Sequence, residues 1–273
     1  MNDRIGIIVP VEAKPHLFEA AVDFGVKRVE LNGWNADLYT PALAESIRND
    51  AGRLGIKITA FWAGWPGPKT WNFISGPDTL GIVPLKFRPG RIAALKKGAD
   101  FAHMLGLPAI ITHLGFIPEN ASDPAFKDVV GAVKDVADYL AALGMEFWFE
   151  TGQETPVTML RLIQEVGTGN LGINLDPANL ILYGKANPVD ALDVFGAYVR
   201  SVHAKDGFYP TTPYQLGEEV KIGSGKVNFP LFLSRLAELN YQGPFIIERE
   251  ISGSQQILDI RESIAYLSDL LAR

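Results

Sequence analysis

The chain has no cysteine, only four histidines, and no apolar run near the ~18 residues that a membrane span needs. Without a thiol there can be no disulfide, no iron–sulfur cluster, no thiolate zinc site and no cysteine nucleophile. Excess positive charge is missing too. Lys and Arg number 25 against 31 Asp and Glu, a net charge of −6, which argues against a track for nucleic-acid phosphates. No signal-peptide h-region is present, and no Gly-x-Ser-x-Gly elbow supports a serine hydrolase. These absences set the expectation of a soluble cytoplasmic enzyme with neither a membrane nor a nucleic-acid partner.

What is present is alternation. Short apolar runs with strand character are Ile5–Val9, Val26–Leu31, Ile56–Trp62, Pro108–His113, Met145–Glu150, Leu171–Asp176, Tyr198–His203 and Pro244–Glu248. Between and after them, helical patterns fall at Pro15–Phe24, Pro41–Leu54, Arg88–Leu105, Pro124–Leu143, Thr155–Val166, Pro188–Phe195, Phe229–Leu239 and Ser254–Leu271. Gly25, Gly55, Gly106, Gly144, Gly167 and Gly243 stand at the helix-to-strand joints, where a left-handed residue ends a helix. The strands are almost wholly apolar, as in a parallel sheet covered on both faces. With 47% hydrophobic residues and no linker, residues 1–273 read as a single domain. About eight βα units over this length predict a (β/α)8 TIM barrel, which carries its chemistry at the C-terminal strand ends.

Four of the strands end in groups that bind metals: Glu150, Asp176, His203 and Glu248, spaced 26, 27 and 45 residues apart. A strand–helix unit takes roughly 30 residues, so the four side chains converge if their strands are parallel neighbours. Three carboxylates and an imidazole gathered there would repel or desolvate one another without a cation. The alternative is that each caps a helix or meets an Arg at the rim. Mostly oxygen donors with one imidazole suit Mn²⁺ first, with Co²⁺, Mg²⁺ and Zn²⁺ also admitted.

His113 ends strand four and is a candidate to bind substrate. Lys205 either contacts substrate or pairs with Asp206, and Glu30 either bonds a sugar or orients Arg28 or another neighbour. The loop Ala63–Phe87 brings Trp65, Trp71 and Phe73 close to Trp62. These aromatics either stack on a sugar and exclude water, with Trp62 as a substrate contact, or cover a homo-oligomer interface, or pack over the barrel rim. Gly223-Ser-Gly225-Lys226 invites a phosphate reading, but Val220 and Val227 stand where a Walker motif needs Gly and Ser/Thr.

Five segments carry a resemblance: Phe149-Glu150-Thr-Gly-Gln, Asn174-Leu-Asp176-Pro-Ala-Asn179, Val202-His203-Ala-Lys205-Asp206, Gly223-Ser-Gly225 and Ile247-Glu248. Together they resemble the sugar-phosphate isomerase/epimerase group, the xylose isomerase-like TIM barrels, over essentially the whole chain. That group includes ketose 3-epimerases, hydroxypyruvate isomerase, inosose-processing enzymes and, more distantly, DNA-repair enzymes of the endonuclease IV type. The likeness implies one divalent metal ion on Glu150, Asp176, His203 and Glu248, with Glu150 and Glu248 doubling as acid and base. It implies a small sugar or keto-sugar as substrate; Asn179, by its own amide, is a candidate to bond a sugar hydroxyl. Isomerisation or epimerisation is the leading expectation; an inosose-type dehydratase or a non-catalytic sugar-binding barrel is the alternative. The chain also departs from its relatives. Many have a histidine where Asn179 stands, and Lys226-Val-Asn228 lacks the ligands of a three-zinc cluster. Pro156 replaces a substrate-binding glutamate of some ketose 3-epimerases, with Glu154 nearby but out of register.

Overall fold

Capping chemistry in the sequence sets where the helices begin. Thr40-Pro41, Asp123-Pro124, Thr155-Pro156, Asp176-Pro177 and Asn187-Pro188 each place a side-chain oxygen on a free helix N–H, with proline in the first turn. Each such cap contributes about 1 kcal/mol, and the proline gives up an N–H that no helix partner would use. A computed structural model describes residues 3–13 and 16–272. Its strands are β1 (Ile5–Pro10), β2 (Arg28–Gly33), β3 (Lys57–Ala63), β4 (Ala109–Thr112), β5 (Glu146–Glu150), β6 (Leu171–Leu175), β7 (Val199–Ala204), β8 (Asp206–Gly207), β9 (Glu219–Val220) and β10 (Phe245–Ile247). The helices are α1 (Glu19–Phe24), α2 (Pro41–Leu54), α3 (Gly76–Thr79), α4 (Arg88–Met104), α5 (Pro124–Ala142), α6 (Pro156–Val166), α7 (Pro177–Leu182), α8 (Pro188–Phe195), α9 (Phe229–Glu238) and α10 (Ser254–Leu271).

Eight strands close into a parallel barrel in the order β1-β10-β7-β6-β5-β4-β3-β2, the (β/α)8 architecture expected from the alternation. β8 and β9 form a separate antiparallel ribbon beyond β7. The strands that end at or just before the four candidate ligands, β5, β6, β7 and β10, are consecutive neighbours, with Glu150 level with Asn174 and His203 level with Ile246. The main core lies between barrel and helices. A smaller cluster of Ala60, Trp62, Trp65, Leu80, Ala109, Ile111 and Trp148 packs separately from it.

One irregularity matters for function. Between Val29 and Leu31, β2 pairs with residues Ile58 and Phe61, so β3 holds one extra residue. Ile58, Phe61 and Ala63 belong to the outer core, whereas Ala60 and Trp62 belong to the smaller cluster. Strict alternation from Ile58 would have put Trp62 on the outer face; the bulge reverses it.

The structure departs from the sequence-based expectations at several joints. Pro15, expected at the start of the first helix, lies outside the described residues, and α1 begins at Glu19. α7 was not anticipated, although Asp176-Pro177 has the signature of a helix start. The loop after β3 contains the short helix α3. Gly243 is not left-handed; Asn240, with φ 57°, takes that conformation after α9. Gly243 answers a different need, since a Cβ there would lie 2.4 Å from the Arg200 carbonyl oxygen. No helix among the described residues is long and apolar enough to cross a membrane.

Candidate metal centre

Glu150, Asp176, His203 and Glu248 each offer a ligand atom, and these atoms all lie within 4.8 Å of one another. Asp176 shows how the chain builds the cluster. Its Oδ1 caps α7, accepting the Asn179 N–H at 2.8 Å, while the buried Oδ2 has no hydrogen bond. The helix-cap alternative therefore accounts for one oxygen of this residue and leaves the other for a ligand. Glu150 is held on both oxygens. Oε1 lies 3.1 Å from His203 Nδ1 and 3.4 Å from Asn179 Nδ2, and Oε2 accepts the Trp62 indole N–H. His113 Nε2 is 3.4 Å from the same Oε2.

His203 spans two environments. Its Nδ1 faces Glu150 and, at 3.4 Å, Glu248. Its Nε2 meets Glu30 Oε1 at 2.8 Å. Glu30 is wholly buried, and its other oxygen finds no partner within the protein. A carboxylate behind a ligating imidazole fixes which nitrogen carries the proton and aims the other at the ion. Glu30 thus faces a neighbour it can orient, but that neighbour is His203, while Arg28, the one named from sequence, bonds Asp3.

Charge in the cluster is finely opposed. Burial works against ionisation of Glu150, yet His113 and His203 outweigh it and hold the carboxyl below its usual range. Glu248 is likewise opposed by burial and pulled down further by Lys205 and His203. Asp176 goes the other way: burial raises it well above an ordinary aspartate, and Lys205 only partly offsets this. Against its own burial, His203 is driven up by Glu30 and Glu150. Protein groups alone therefore favour a proton where the ligand atoms converge. A divalent cation would relieve the same repulsion more fully. Three carboxylates and one imidazole, with an Asp176 Oδ2 that accepts no hydrogen bond and faces Lys205 at 3.5 Å, fit such an ion.

Glu150, His203 and Glu248 open into a cavity of about 390 Å³ whose lining also includes Trp62, Trp71, His113, Gln153, Asn179 and Tyr183, while Asp176 is fully buried and is not a lining residue. Trp71 packs 5.0 Å from the His113 ring, while Trp65 is buried beside Trp62. Of the expected aromatics, Trp62 and Trp71 reach the cavity, and Phe73 packs edge-on against Tyr183. Gln153 and Tyr183 went unremarked from sequence, although Gln153 stands in the quoted Glu150-Thr-Gly-Gln segment.

Lys205 is 1% exposed, with its Nζ 3.5 Å from Asp176, 3.4 Å from Glu248 and 3.1 Å from Glu250. The pairing with Asp206 is not formed. The Asp206 carboxylate instead accepts the N–H groups of Gly207, Gly223, Gly225 and Val227. The donors that suggested a phosphate loop are thus taken by an internal anion.

The fold and these residues define an α/β barrel with a carboxylate–imidazole cluster suited to a divalent ion at its C-terminal mouth. Residues 18–270 match the xylose isomerase-like TIM barrel family, and the chain belongs to that family. Its structure is similar to that of a xylose isomerase domain protein from Planctomyces limnophilus, with 36% identity, a TM-score of 0.93 and coverage of 98% of this chain and 96% of that one. A D-tagatose 3-epimerase-like protein shares the fold at a TM-score of 0.76, with 20% identity over 98% of this chain and 97% of the other. A protein from Methanocaldococcus jannaschii is 29% identical over 183 residues, or 61% of this chain. That match spans 60% of the relative's length, less than two thirds.

Proposed function

We propose that this protein is a metal-dependent isomerase or epimerase that moves a proton next to the carbonyl of a small sugar or keto-sugar. The observation that carries this reading is the placement of Glu150 and Glu248. Both line the cavity, both belong to the candidate ligand cluster, and both carboxyls are held below their usual range against burial, Glu150 beside His113 and His203 and Glu248 beside Lys205 and His203. Family membership and the likeness to a D-tagatose 3-epimerase-like protein support the same class.

Glu150, Asp176, His203 and Glu248 would hold the ion, for which the oxygen-rich donor set favours Mn²⁺. When bound, it supplies the positive charge that stabilises an enolate. The protein's own groups do the rest. One glutamate takes the proton from the carbon beside the carbonyl, and the other returns a proton from the opposite face, inverting that carbon. Return to the adjacent carbon gives aldose–ketose isomerisation instead. Trp62 and His113 hold Glu150 Oε2 in place through the transfer, and Asn179 steadies its other oxygen. The Trp62 and Trp71 rings keep water from the reacting carbon.

The test is solvent exchange. Ketoses and inososes are incubated with Mn²⁺-loaded protein in D₂O and followed by NMR. Deuterium next to the carbonyl, abolished by Glu150→Gln and by Glu248→Gln, is the expected result. Full exchange in both variants would refute the assignment of acid and base. Loss of a β-hydroxyl to give an enone would identify a dehydratase, and sugar binding without exchange a binding protein.

A further inference from the structure

We infer that the cavity takes an uncharged, hydroxyl-rich ketose and discriminates against the same sugar carrying a phosphate; the inference rests on the reading of the ligand cluster as the reaction centre. Three independent observations carry it.

The first is the charge of the walls. Among the described residues lining the cavity there is no Lys or Arg, while Glu150, Glu248 and Glu250 all line it. A phosphate monoester brings a charge of about −1.5 to −2 at neutral pH. Beyond the ion that holds the reacting end, it would find no counter-charge there.

The second is that most nearby cations and anion-binding donors are already committed, with Arg261 of the adjoining pocket set over the Phe24 ring. Lys205 is buried among Asp176, Glu248 and Glu250 and also donates to Asn179. Arg249 is tied to Asp259 and Glu219. Lys69 stands over the Trp34 ring, 4.5 Å from its centroid, and is not a lining residue. The Gly223–Gly225 loop spends its N–H groups on the Asp206 carboxylate.

The third is positive evidence for hydroxyl recognition. Gln153 is 1% exposed, yet neither atom of its amide has a hydrogen bond of normal geometry within the protein. The Tyr183 hydroxyl faces the Gln153 amide in a contact outside normal hydrogen-bond geometry, and His113 Nδ1 has no hydrogen bond. All three side chains are buried and line the cavity. Buried polar groups without partners are rare in native proteins and mark places where a ligand or water completes the bonding. A neutral amide, a phenol and an imidazole nitrogen offer both donors and acceptors, the complement of sugar hydroxyls, each of which also donates and accepts. A phosphate, which mainly accepts, would leave the Gln153 carbonyl unpaired.

The experiment compares matched pairs on the metal-loaded protein: D-fructose with fructose 6-phosphate, and D-tagatose with tagatose 6-phosphate. Binding is read from tryptophan fluorescence, since Trp62 and Trp71 line the cavity. The free ketose of at least one pair should bind tenfold or more tightly than its phosphate. Gln153→Leu should weaken that binding tenfold or more while metal content stays unchanged. Tyr183→Phe, which keeps the ring against Phe73 and Phe116, should weaken it in the same direction. Equal or tighter binding of the phosphates overturns the inference, as does failure of both free ketoses to bind, or unweakened binding in both variants. Metal content and D₂O exchange on the same samples separate this claim from the functional one. Exchange with a preference for phosphates sinks the substrate class alone. Preference for free ketose without metal or exchange sinks the reaction alone.

Discussion

Glu154 lies four residues beyond Glu150, in the loop from β5 into α6, and is 2% exposed. Burial pushes its carboxyl up from 4.5 to about 8, against weaker pulls from its own N–H, that of Gly152, and Lys185. Below pH 4.5 both folded and unfolded chains hold the proton. As the pH rises from there, the unfolded chain releases it first. The stability tied to this group is therefore complete below the unfolded pKa and drains away as the pH climbs through the folded one. Between pH 5 and pH 8 the loss comes to about 3 to 4 kcal/mol, at about 1.36 kcal/mol per pKa unit. Glu154→Gln keeps the shape of the side chain and removes its titration. Urea unfolding of wild type and variant in chelator, at intervals from pH 5 to pH 8, isolates the effect as a difference. The variant should gain on wild type by about that amount across the range. A difference that stays flat to within about 0.5 kcal/mol, the scale of an ordinary surface substitution, would refute a buried, protonated Glu154.

Other perturbations have equally definite expectations. Glu30→Gln should weaken Mn²⁺ binding by about 10- to 100-fold, because it loosens the carboxylate behind His203; competition against a chromophoric chelator reads this, and unchanged affinity counts against the role given to Glu30. Gly81→Ala should cost at least about 2 kcal/mol, since φ is 64° and the new Cβ would lie 1.9 Å from the Leu114 carbonyl oxygen. A melting temperature equal to wild type would contradict that. Chelator should lower the melting temperature of the loaded protein, because an ion at 100 times its Kd stabilises the fold by about 2.7 kcal/mol. Superimposable melts with and without Mn²⁺ would argue against a site in the native state.

The convergence of Glu150, Asp176, His203 and Glu248 was legible because a carboxylate or imidazole closing an apolar strand is costly without a partner, and the cost recurs at the spacing of one βα unit. The barrel was legible from the same alternation. What stayed hidden depends on contacts that sequence spacing does not encode. Glu30 and His203 are 173 residues apart and meet only across the closed barrel. Trp62 points at Glu150 because of the extra residue in β3, which period-two reading cannot foresee. Lys205 has a nearby acidic neighbour in Asp206, but that carboxylate is occupied by four backbone N–H groups, and the lysine turns to more distant carboxylates. α7 is the exception, since its cap and proline were in plain view.

The central claim is that Glu150, Asp176, His203 and Glu248 together hold one divalent ion. Elemental analysis per chain, after Mn²⁺ loading and gel filtration, tests it in wild type and in Asp176→Asn and His203→Gln, with circular dichroism as a check on folding. The account predicts about one equivalent in wild type and far less in both folded variants. A full equivalent retained by both variants, or none bound by the wild type, would contradict it.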